Sequence, residues 1–93
     1  MTPIIDCHVH ICPAEVRQNR EQFLEGEPEF AAIYKDPRAT LIGASELIQS
    51  MDAEQVAQSV VFGFPWRKEA NFRLNNDYVL DAARRFSGRL IPF

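Results

Sequence analysis

Ile4 to Ile11 reads Ile-Ile-Asp-Cys-His-Val-His-Ile, an apolar run with polar side chains at alternate positions. A strand sends successive side chains to opposite faces, so this pattern predicts Asp6, His8 and His10 on one face and Ile5, Cys7, Val9 and Ile11 on the other. Burying three polar groups in an apolar strand is costly unless something satisfies them. A divalent metal ion would do so, since two imidazoles one strand step apart can both reach it. An ordinary amphipathic edge strand alternates in the same way. What distinguishes this one is a polar face of ligand-type groups with no Thr, Ser or Lys.

The remainder alternates between helix and strand. Pro13 to Leu24 has helical character, with Pro13 at its start and Gly26 just past its end. A second short piece runs from Pro28 to Tyr34, and Lys35-Asp36-Pro37-Arg38 reads as a turn. Together these make a long insertion at about 13–43 between the first strand and the next regular helix. Ser45 is the expected N-cap of that helix, which runs to about Gln55 with Leu47, Ile48 and Met51 along one side. Ser59-Val60-Val61-Phe62-Gly63-Phe64 is a continuous apolar strand of the kind buried on both faces of a parallel sheet. Asn76 is the expected cap of a helix ending at Arg85, with Tyr78, Val79, Ala82, Ala83 and Phe86 as its buried stripe. Ser87-Gly88 ends it, and Arg89 to Phe93 opens a third strand, completing a βαβ unit.

Apolar-apolar-Asp-x-His-x-His in the first strand resembles the opening strand of amidohydrolase-superfamily enzymes, closest to the amidohydrolase-related branch of metal-dependent hydrolases and decarboxylases. The Asn76 to Phe86 run and the Arg89 to Phe93 strand resemble the same family, so the resemblance spans nearly the whole chain and is weakest over 13–43. It implies metal ligation by His8 and His10, at the C-terminal end of the first strand of a (β/α)8 barrel. Asp6, one pleat deeper, is expected as a buried hydrogen-bonding partner and not a ligand. In the family a glycine follows Met-Asp before the second strand; here Gln55 stands in its place, which puts a left-handed turn there in doubt.

A (β/α)8 barrel takes about 250 residues, and this chain has 93. The expected fold is therefore an α/β portion, the N-terminal β-α-β-α-β part of such a barrel, as a single partial domain over residues 1–93. The expected function is the N-terminal part of a metal-dependent hydrolase or nonoxidative decarboxylase acting on a small-molecule substrate. The isolated chain should be inert, because the general base and further ligands come from outside it. Zinc is the expected ion, lowering the pKa of bound water and polarising a carbonyl. Trp66 and Arg67, directly after the second strand, and Tyr34 on the insertion are candidates for substrate contact.

Two other classes stand beside this one. Cys7, His8, His10 and Cys12 would make a compact four-ligand metal module, although adjacent strand residues point opposite ways. A structural α/β module without metal, self-associating through open strand edges, is the other. A net charge of −3 with no basic cluster argues against nucleic acid as a partner. No apolar run reaches the length of a membrane span. Met1-Thr2-Pro3 leads straight into the strand, leaving no room for a signal peptide. Cys7 and Cys12 are poorly placed for a disulfide and suit a reducing cytoplasm.

Overall fold

In the computed structural model, which describes residues 3–93, three parallel strands lie side by side in the order β1-β2-β3. Met1 and Thr2, the lead-in to the first strand, lie outside the described residues. The strands are β1 (Ile5–His10), β2 (Gln58–Phe62) and β3 (Leu90–Pro92). The helices are α1 (Ala14–Gln18), α2 (Pro28–Tyr34), α3 (Ala44–Glu54) and α4 (Glu69–Arg85), with a 3-10 turn at Arg20–Phe23. No helix among the described residues is long and apolar enough to cross a membrane.

Both long helices pack on one face of the sheet. Val61 and Leu90 from the strands and Ile11, just past β1, meet Ala44, Leu47 and Met51 of α3 and Val79 and Ala82 of α4 in one buried cluster. The second face has no such layer: Val60 and Phe62 on it are only half-buried. The expectation that β2 is covered on both sides therefore holds for one side. A second cluster lies beyond the strand ends, where Cys12, Val16, Phe30 and Trp66 are buried together with Phe23, Leu24, Tyr34 and Phe64 packed around them. Thus the insertion folds over the end of the sheet to which His10 points, anchored by its few large apolar side chains.

Several element boundaries differ from the sequence expectation. The helix expected over 13–24 breaks at Asn19, whose φ of −125° and ψ of 42° leave the helical region. Asn19 turns both its amide and its side-chain nitrogen onto the Glu15 carbonyl. Such local bonds compete with helix continuation. Helix α3 starts at Ala44, with Gly43 and not Ser45 as its N-cap. The Glu46 carboxylate accepts the Gly43 amide at 3.1 Å, and the Tyr78 hydroxyl accepts the Ala44 amide at 2.7 Å. A distant tyrosine thus does work expected of the local serine.

The largest departure is α4, which begins at Glu69 and runs 17 residues instead of starting at Asn76. The residues that lead into its first turn are held from the insertion. Glu27 accepts the Arg67 amide at 2.6 Å, the Lys68 amide at 3.3 Å and the Asn71 side chain at 2.8 Å. An anchor supplied from forty residues away leaves no local signal of where the helix starts. Strand β2 ends at Phe62, short of the expected Phe64, and β3 covers only Leu90–Pro92 of the expected Arg89–Phe93. As expected, α2 opens on Pro28, and Gly88 adopts a positive φ of 84° where the chain turns into β3.

Candidate metal centre

The two histidines at the end of β1 meet nitrogen to nitrogen. His8 Nε2 and His10 Nε2 are 3.0 Å apart. Two nitrogens each held about 2.0–2.1 Å from one tetrahedral zinc ion lie roughly 3.3–3.4 Å from each other. The observed separation is a few tenths of an ångström shorter, so a small rotation of either ring would open it to that span. The second nitrogen of His10 is also committed: Nδ1 lies 2.9 Å from the Gly63 carbonyl oxygen. A carbonyl only accepts, so Nδ1 carries the proton and Nε2 of the neutral ring keeps its lone pair toward His8. This Nδ1–H···O=C contact is the partner that orients a metal-binding imidazole. The His8 Nε2–H can then donate to His10 in the metal-free protein.

Aromatic rings wall the pair. The His10 ring stacks on Phe64 at 5.1 Å and 12°, while the His8 ring lies 4.7 Å from Phe62. Phe62 in turn meets Phe93 at 5.1 Å. These contacts place both imidazoles on the sheet face that the helices leave open.

Asp6 does not join them. It pairs in register with Ser59, whereas His10 pairs with Phe62, and Ser59 and Phe62 face opposite ways along β2. The cause is an irregularity in β1: Cys7 and His8 lie between paired positions where β2 has Val60 alone. Such a bulge inserts a residue and reverses the phase of alternation. Asp6 is exposed, not buried as expected, and its carboxylate accepts the His8 backbone amide at 3.1 Å. It braces the bulge that aims His8. Alternation by itself could not reveal this, because a bulge has no obligatory residue signature.

The cysteines stand apart from the site. Cys7 is exposed with its sulfur toward the Ile5 carbonyl, and Cys12 is buried with its sulfur toward the Ile42 carbonyl. Burial pushes the Cys12 thiol up to about 11, against the pull of Arg17 and Arg20. Such a thiol is not poised to be a ligand. Among the described residues, no three His, Cys, Asp or Glu side chains gather in a metal-binding arrangement. The four-ligand cluster is thus not formed.

The three candidates for substrate contact fall in different places. Trp66 is buried between Phe30 and Phe64, and its indole nitrogen donates to Asn75 at 2.9 Å. It is a packing residue under the insertion. Arg67 is exposed but spent on a forked ion pair with Glu29, at 2.7 to 3.0 Å. Tyr34 comes nearest the histidines, packing edge-on against Phe64, the ring on which His10 stacks. Burial raises its phenol above the ordinary value. Two residues missed in the sequence matter here: Gly63, which supplies the carbonyl, and Asn75, fully buried beside it.

No protein-family model, curated protein or solved structure matches this chain.

Proposed function

We propose that this chain is the N-terminal portion of a metal-dependent, amidohydrolase-like enzyme, with His8 and His10 as two ligands of a divalent ion. The reading is carried by the convergent Nε2 atoms, 3.0 Å apart, together with the Gly63 carbonyl that sets the His10 tautomer. Zinc is the ion that nitrogen donors favour; when bound it activates water and polarises a substrate oxygen. The chain's own contribution is to hold two imidazoles at the C-terminal end of a parallel strand, in an aromatic surround. Substrates are small carboxylic acids or amides, cleaved hydrolytically or decarboxylated without oxidation.

The parent fold in this reading is a (β/α)8 barrel. Three parallel strands in sequential order, helices confined to one face and the histidines on the other are what the first part of such a barrel requires. The remaining ligands and the general base then come from later strands, so the 93-residue chain binds metal weakly and does not turn over substrate.

Titration of Zn2+ into the chain, in competition with a chromophoric chelator, tests the centre. One weak site per chain is expected, lost in His8→Ala and in His10→Ala and kept in the Cys7→Ser/Cys12→Ser double variant. Absence of binding by the unaltered chain would sink the metal reading. For the barrel, the native mass of the protein from its source should correspond to about 250 residues; a mass matching 93 residues would overturn that part.

A further inference from the structure

Asn75 is a fully buried polar side chain in the middle of α4, and it makes three hydrogen bonds just beyond the ends of β1 and β2. Its oxygen accepts the Phe64 amide at 3.1 Å and the Trp66 indole N–H at 2.9 Å. Its nitrogen donates to the Ile11 carbonyl at 2.9 Å. Neither backbone group is arbitrary. Ile11 directly follows His10. The Phe64 N–H belongs to the same peptide unit as the Gly63 carbonyl, whose oxygen meets His10 Nδ1 at 2.9 Å.

A trans peptide is planar, with its N–H and C=O pointing in opposite directions, and the described residues contain no cis bond. Holding the N–H from the α4 side therefore aims the C=O at the histidine. We infer that Asn75 is a positioning residue for the dihistidine centre, fixing the Gly63–Phe64 peptide and the end of β1 so that His10 presents Nε2 to a metal ion.

Gly63 is part of the same device. A Cβ there would stand 2.9 Å from the Asn75 Cγ and 3.0 Å from its Oδ1. Any side chain at 63 would push the amide off the peptide it holds. The three bonds also tie α4 to the end of β1 and to the β2–α4 connection. Asn75 touches neither histidine, so its influence passes through backbone groups. This role rests on the metal reading above for its purpose, but the tautomer that it sets exists without metal.

The experiment follows from that separation. Nitrogen-15 NMR of histidine-labelled, metal-free protein reads the His10 tautomer directly, and chelator competition reads Zn2+ affinity. In the unaltered chain, His10 should be the Nδ1–H form. Asn75→Ala should mix the tautomers and weaken Zn2+ binding roughly 10–100-fold, the usual effect of losing an outer partner of a metal-binding imidazole. Isosteric Asn75→Asp keeps the acceptor for Phe64 but loses the donor to Ile11; it should keep the tautomer and lose part of the affinity. Folded Asn75→Ala protein with an unchanged tautomer and affinity would overturn the proposal.

Should neither variant fold, the unaltered chain still decides. The Asn75 side-chain amide resonances must shift along the same Zn2+ binding curve as His10, and amides that stay fixed would overturn the coupling. If the unaltered chain binds no Zn2+ at all, the metal reading falls, while the tautomer of Asn75→Ala still reports whether Asn75 sets His10.

Discussion

Gln55 shows how a single residue can keep a turn that its chemistry disfavours. It closes α3 in the left-handed region, at φ 59° and ψ 37°, and its amide and that of Val56 both return to the Met51 carbonyl. The doubt raised by the missing glycine is resolved: the turn forms without it. Its backbone still carries a cost of about 1 kcal/mol, because Cβ crowds the carbonyl in this conformation. Gln55→Gly should therefore raise unfolding stability by about 0.5–1 kcal/mol, read as a higher urea midpoint at unchanged slope. A lower midpoint would mean that the Gln55 side chain contributes more than its backbone costs. At the same scale, His8→Ala or His10→Ala should remove Zn2+ binding while leaving the far-ultraviolet circular dichroism intact, since neither ring belongs to the buried clusters.

Between elements, the decisive contact joins the insertion to the start of α4. Glu27 is 1 % exposed, and its carboxylate serves two backbone amides and Asn71. Burial opposes its ionisation, but the bonds from Asn71, Arg67 and Lys68 and the Lys68 charge outweigh it and hold its pKa below 4.5. A carboxyl depressed in the folded state contributes stability above its unfolded value, lost as pH falls through the folded one. Unfolding stability should thus decline as pH drops below about 4.5, and Glu27→Gln should flatten that decline. At neutral pH the same substitution should cost about 1.5–3 kcal/mol, the worth of hydrogen bonds to a charged group. A pH profile identical in the two proteins would place the titration elsewhere, for instance at Glu46, whose carboxyl is also depressed, by its own backbone amide ahead of Arg17.

For the whole molecule, several exposed apolar residues gather at the two open edges of the sheet. Phe93 is 92 % exposed, Ile91 is also open, and Leu80 and Phe93 line a groove of about 280 Å³ with Asn76, Val79 and Pro92. On the opposite edge, Ile4 and Ile5 are half exposed. Open parallel edges with such side chains promote pairing. Light scattering should show association of the chain that grows with concentration, and Ile91→Lys with Phe93→Asp should reduce it. A monomer at all concentrations would mean that the open edges are tolerated as they stand.

Read from residue order alone, the period-two face of β1, the apolar run of β2 and the stripe on α4 sufficed for a parallel α/β arrangement and for two histidines within reach of one ion. Those signals are local: they depend on side-chain spacing over fewer than about a dozen residues. Three features needed the chain to come together in space. The bulge at Cys7–His8 moved Asp6 out of phase with His10, because a register slip changes facing without changing composition. The lead-in to α4, two turns ahead of the expected start, is held by Glu27, forty residues away from Arg67. The His10 tautomer came to depend on a glycine carbonyl and, behind it, a buried asparagine. Each depends on partners distant in sequence, a strand register in the first case and hydrogen bonds in the other two, and such partners are chosen by packing geometry, not by spacing along the chain.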